Sequence, residues 1–285
     1  MGIEATNLTI CVPYRGCDKN CEYCVSKMTG YTKTNINAMY RNLDAVIKTA
    51  NNARVFSVIF TGKGEPFLNR DFLFNFLYRF KDFPTEIQTN GKFLNTMLST
   101  QHKDDYLKLL TDNYVNVIAF SIDQMATIDE YNNMFKLLDD TGIMVRVCIN
   151  VTAKLGGITF NELFHKVKET TASQILVRKV SVPDKVVKSE EAANTMHWIN
   201  AYAHTDLYTN MHDEYTFMLH RSVPKGSKIR ELPHGAVVWE LDDISVCFSD
   251  YCIQEANNTK DIRSLIWEED GSVRTSWGKP GSKLF

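Results

Sequence analysis

Two rhythms of apolar residues take turns along the chain as far as Pro183. Leu8-Thr9-Ile10-Cys11-Val12 is short, apolar and β-rich, and it ends at Pro13. Residues 36–50 then carry helical spacing through Met39, Leu43, Val46 and Ile47. Residues 55–60 are nearly continuous in apolarity, as expected of a parallel strand covered on both faces. A helix is predicted over 69–80. The alternation continues with strands at 85–89, 115–120, 144–149 and 175–180. Helices are predicted between them at 103–111, 128–139 and 160–170. Six βα units of this size predict an α/β fold, a parallel sheet curling into a partial (β/α)6 TIM-like barrel. In such barrels chemistry sits at the carboxyl ends of the strands.

Beyond Pro183 the rhythm changes. A helix over 190–202 precedes a mixed region with strands at 237–241 and 244–248. Two more, at 262–267 and 273–277, are joined through Asp270-Gly271, a good hairpin turn. This predicts a barrel core over 1–183 and a mixed α+β C-terminal extension over 184–285 that caps the mouth. The tail 279–283 is expected to be mobile. Trp239, Trp267 and Trp277 read as core residues.

Composition narrows the class. The 285 residues are 44% hydrophobic and 23% charged, ordinary for a globular protein with a real core. Net charge is −2, which gives no case for wholesale nucleic-acid or membrane binding. No run approaches the roughly 20 apolar residues needed to span a bilayer, and the N-terminus lacks the basic start and apolar run of a signal peptide. A cytoplasmic location is expected. Seven cysteines, four of them between Cys11 and Cys24, fit metal binding in a reducing compartment better than a secreted disulfide framework.

The cysteines that carry chemistry are Cys17, Cys21 and Cys24, in a loop directly after the first strand. Thiolates spaced by three and then two residues can converge on one side of a loop, and soft sulfur favours an iron–sulfur cluster or zinc. Three ligands to a four-iron cluster leave one iron open. A structural zinc site would need a fourth thiolate, and Cys11 is the nearest.

This C-x3-C-x2-C run, with Tyr23 before the last cysteine, resembles the signature of the radical S-adenosylmethionine (SAM) superfamily. The resemblance implies a [4Fe-4S] cluster on Cys17, Cys21 and Cys24, with SAM on the open iron and Tyr23 against the adenine. Thr61-Gly62-Lys63-Gly64-Glu65-Pro66, after the second strand, resembles the family's glycine-rich G-G-E-P turn at the SAM amino group, with Lys63 as a departure. Ser121-Ile122-Asp123 is similar to an S-x-D element near the SAM ribose and carboxylate. Gln88, Asn90, Asn150 and Thr152 follow strands and face the same expected mouth. Arg146, Arg178 and Lys179 could neutralise the SAM carboxylate or a substrate phosphate, or be solvated.

Cys148, Cys247 and Cys252 remain. A radical or methyl-carrying role, or ligation of a second cluster, stands against simple burial. The resemblance further implies reductive cleavage of SAM to a 5′-deoxyadenosyl radical, fed by an electron donor such as flavodoxin or ferredoxin. Hydrogen would be abstracted from a small-molecule, nucleotide or peptide substrate, with a lean towards a nucleotide or nucleobase because of Lys63, Arg146, Arg178 and Lys179. The rivals are a peptide-modifying enzyme of the same superfamily, a SAM-dependent methyl-transfer enzyme using one of the three remaining cysteines, and a non-catalytic metal-binding module.

Overall fold

The predicted strands pair side by side in the computed structural model, which describes residues 4–203, 205–221, 226–232, 236–249, 262–277 and 280–285. They are β1 (Ala5–Cys11), β2 (Ser57–Thr61), β3 (Thr85–Thr89), β4 (Val117–Ile122), β5 (Met144–Val151) and β6 (Gln174–Lys179). Consecutive strands are hydrogen-bonded and parallel throughout. A short α1 (Val25–Thr29) follows the cysteine loop. The crossovers are α2 (Ile36–Asn52), α3 (Arg70–Arg79), α4 (Lys92–Leu98) with α5 (Lys103–Asp112), α6 (Met125–Asp139) and α7 (Phe160–Lys168).

Period-2 alternation decides which side chains meet the helices. Leu8, Ile10, Val58, Phe60, Ile87, Ile118, Phe120, Val145, Val147, Ile149 and Val177 all enter the core. The intervening positions are largely polar: Thr9, Glu86, Gln88, Ser121, Arg146, Asn150, Gln174 and Arg178. The strands are therefore apolar towards the helices and polar on the opposite face, a departure from the two-sided burial that residues 55–60 predict. Phe56, placed in that strand by its sequence, precedes β2 and is 60% exposed.

The C-terminal strands join this sheet at both edges. β9 (Ile244–Ser249) runs parallel to β6, and β8 (Val237–Leu241) and β7 (Gly226–Glu231) add antiparallel strands beyond it. At the other edge β10 (Ile262–Trp267) lies parallel to β1, pairing Ala5 with Ile262, and β11 (Val273–Arg274) returns antiparallel. Eleven strands form one sheet, in the order β11-β10-β1-β2-β3-β4-β5-β6-β9-β8-β7. Two helices, α8 (Glu190–Tyr202) and α9 (Thr205–Arg221), connect β6 to these strands. The tail pairs with β11: Leu284 N–H donates to Val273 O at 2.8 Å, and Lys283 bridges Arg274. Trp267 is fully buried among Phe76 and Phe80, whereas Trp277 faces a cavity. Among the described residues no helix is long and apolar enough to cross a membrane.

Candidate functional site

The loops at the carboxyl ends of the strands enclose a cavity of about 520 Å³. Cys17, Cys21, Tyr23 and Cys24 reach it from the loop after β1, and residues 61–65 from the turn after β2. Gln88 and Asn90 follow β3, Ser121 and Asp123 mark the end of β4, and Asn150 comes from β5. Together with Arg178 and Lys179 from the end of β6, fifteen of the residues singled out from sequence thus meet at one place, Gly62, Lys63, Gly64 and Glu65 of the turn among them.

Close packing explains the glycines. A Cβ on Gly64 would lie 2.3 Å from Gly16 O, and one on Gly62 would lie 2.7 Å from Val12 O. The turn therefore presses directly on the backbone that leads into the cysteine loop. Glu65 locks the arrangement. Its N–H donates to Gly16 O at 3.0 Å. Its carboxylate accepts from Thr89 Oγ1 (2.7 Å), Phe67 N (3.2 Å) and Asn90 N (2.9 Å). Burial pushes Glu65 up to about 7, against the pull of these three donors.

Asn90 also braces the cysteine loop, donating to Asp18 Oδ1 at 2.7 Å and approaching Cys17 Sγ at 3.6 Å. Across the cavity, the Tyr23 hydroxyl bonds with Asp123 and Asn150, and burial raises its pKa. Its ring lies 5.7 Å from that of Trp198 on α8. Lys154 bonds Glu22 at 2.6 Å and lies 3.7 Å from Asp123. Burial works against the Lys154 charge, but these two carboxylates outweigh it and raise its pKa.

Burial also raises the Cys17 and Cys21 thiols, and Glu65 and Asp123 respectively push the same way. Thiolates here need a compensating cation, which is what an iron–sulfur cluster brings to its ligands. The donor set fits such a cluster: three unpaired cysteines on one wall of one cavity. Among the described residues, no three His, Cys, Asp or Glu side chains converge closely enough for a single ion. Cys11 is buried at the end of β1 and hydrogen-bonded to Glu268, with its thiol pKa raised by burial.

Other residues are placed differently from their sequence reading. Lys63 donates to Gly30 O (2.6 Å) and Thr32 Oγ1 (3.0 Å), tying down the segment after α1. Arg146 lies lower on the sheet, in an ion pair with Glu86 and donating to Gln174 Oε1 at 2.7 Å, and it is not on the cavity wall. Cys148 and Cys247 are buried in β5 and β9, off that wall, and burial raises Cys247 to about 11. Thr152 caps the turn after β5 by accepting from Lys154 N. Cys252 lies outside the described residues. Sequence reasoning missed Lys154, Trp198, Glu268 and Arg274. Of these only the Glu268-Glu269 pair, set between apolar Trp267 and a turn, carried a readable signal.

A parallel sheet with three thiols in the loop after its first strand, pinned by a glycine turn after its second, is the architecture of a partial-barrel enzyme. Residues 11–151 match the family model described as the radical SAM superfamily. The chain is a radical SAM superfamily protein, and the superfamily is one of enzymes. Among solved structures it is similar to Streptococcus suis SuiB. SuiB alone gives a TM-score of 0.60 at 14% identity, covering 99% of this chain and 63% of that one. SuiB bound to S-adenosylmethionine gives 0.58 at 13% (99% and 61%). SuiB bound to the precursor peptide SuiA gives 0.58 at 14% (95% and 59%). The chain thus spans about three-fifths of the length of SuiB. At these identities the likeness is one of fold. No curated protein matches the sequence.

Proposed function

We propose that this protein holds a [4Fe-4S] cluster on Cys17, Cys21 and Cys24, binds SAM beside it, and acts on a substrate in the same cavity. The observation that carries the reading is that the three thiols and the Gly62–Glu65 turn share one wall. When bound, the cluster and SAM together supply one-electron cleavage of the sulfonium to methionine and a 5′-deoxyadenosyl radical.

The chain's own residues provide position and exclusion of water. Glu65, held by three donors, fixes the turn against the cysteine loop, and Asn90 fixes the loop itself. The Tyr23–Asp123–Asn150 set would orient the nucleoside half of SAM. Lys154 and Glu22 hold Asp123 in place, and Trp198 backs the Tyr23 ring. An electron donor such as flavodoxin or ferredoxin would reduce the cluster.

Two substrate classes have specific support. Arg178 and Lys179 on the cavity wall favour a nucleotide or nucleobase, although Arg146 no longer contributes. The peptide-bound neighbour of the same fold favours a peptide. Anaerobic reconstitution with iron and sulfide, reduction, and analysis for 5′-deoxyadenosine tests the common core. The expected result is SAM cleavage that is lost in Cys17→Ala, Cys21→Ala and Cys24→Ala. Stoichiometric zinc with four sulfur neighbours, or a reduced cluster that leaves SAM intact, would overturn the reading.

A further inference from the structure

The wall of the cavity beside β1 carries a group of residues that neither the cluster nor SAM explains. Glu268, Arg274 and Trp277, from the hairpin that follows β10, line the same cavity as the three thiols. Their backbone is rigidly set. Glu269, fully buried, accepts from Tyr14 N (3.0 Å) and Thr34 Oγ1 (2.8 Å), and its carbonyl accepts from Asn35 N. Asn42 donates to Gly271 O at 2.8 Å. Gly271, at φ +85°, packs so tightly on α2 that a Cβ would lie 2.7 Å from that of Ala38.

Three polar atoms of this hairpin are buried without a hydrogen-bond partner among the described residues: Glu269 Oε1 and, on residues of the cavity wall, Glu268 Oε2 and Arg274 Nε, Glu268 being only 7% exposed. The last two bear on the cavity. Arg274 spends its terminal nitrogen on a loose 3.8 Å pair with Asp270, which leaves Nε unused. A buried polar atom left unsatisfied is destabilising, and native structures keep few of them without a reason. The two are opposite in sense, one acceptor and one donor. A simple anion would serve only Arg274, and a simple cation only Glu268. A planar amide presents a donor N–H and an acceptor C=O together, and the Trp277 indole offers a flat face for such a π-system.

We infer that Glu268, Arg274 and Trp277 form a substrate-recognition subsite for a planar amide-type group, either the lactam edge of a nucleobase or a peptide carboxamide. The subsite rests on the reading that the substrate occupies this cavity. It assigns Glu268 to the donor N–H and Arg274 Nε to the carbonyl. Cys11, bonded to Glu268, holds that carboxylate in place.

The test uses the full-length, reconstituted protein with SAM present. Guanosine, N-acetylglutamine amide and free alanine are titrated by calorimetry. At least one of the first two is expected to bind saturably, and which one does so identifies the source of the amide. Glu268→Gln and Arg274→Lys should each weaken that binding by roughly tenfold or more, the scale of a hydrogen bond to a charged group. Circular dichroism checks that both variants are folded. The inference is overturned if neither amide probe binds, if both variants bind within about twofold of wild type, or if only zwitterionic alanine binds. Formation of 5′-deoxyadenosine by the wild-type protein, measured in parallel, reports separately on the radical SAM reading.

Discussion

Glu65 offers a quantitative handle on how the glycine turn is held. Burial lifts its carboxyl from an ordinary 4.5 to about 7 in the folded protein. A group with a raised folded pKa binds more protons folded than unfolded. Its stabilising contribution is therefore complete below the unfolded value and is lost as pH rises through the folded one. Each unit is worth about 1.36 kcal/mol, so wild-type protein should lose about 3 kcal/mol through this residue between about pH 4 and about pH 8. Glu65→Gln cannot titrate. It instead sets an amide NH2, a donor, against a backbone donor, Asn90 N–H or Phe67 N–H, at a pH-independent cost of about 1–3 kcal/mol. Urea denaturation of both proteins without added iron or SAM gives the difference in stability at each pH. That difference should favour wild type in acid and shrink or reverse in base. A difference constant across the range would refute the argument, and one that grew with pH would show that the three donors outweigh burial.

Gly64→Ala should force the cysteine loop off the turn, since its Cβ would sit 2.3 Å from Gly16 O. Iron content after reconstitution should fall sharply while circular dichroism stays native. Cys11→Ala should retain full iron and Cys24→Ala should lose it; equal loss in both, measured by metal analysis, would favour a four-thiolate site. Arg146→Ala should destabilise by about 3 kcal/mol in urea, because it strands the buried Glu86 carboxylate.

The six βα units were legible because strands and helices differ in period, and every predicted strand from β1 to β6 is present within a few residues. The cysteine loop and the glycine turn were legible because spacing and position after a strand are local properties. What periodicity could not show was partnership. Val237–Leu241 and Ile262–Trp267 read as strands, yet nothing local says that one edge of the sheet takes β9 and the other takes β10. Arg146 reads as a cavity residue because it shares a strand with Asn150. It sits two turns of the pleat lower, where Glu86 and Gln174 claim it. Helix α4 was missed because seven residues after Asn90-Gly91 give too short a window for a 3.6 period. Glu268 and Arg274 are distant in sequence from the thiols, and only the pairing of β10 with β1 brings them to the same cavity.

That pairing has a consequence for assembly. During synthesis β1 and the thiol loop emerge well before β10, their neighbour in the sheet. Non-local strand pairs of this kind close slowly. Until the β10–β11 hairpin docks, the flank of β1 that it covers has no strand partner. Iron and sulfide for the proposed cluster would have their widest access before that hairpin docks.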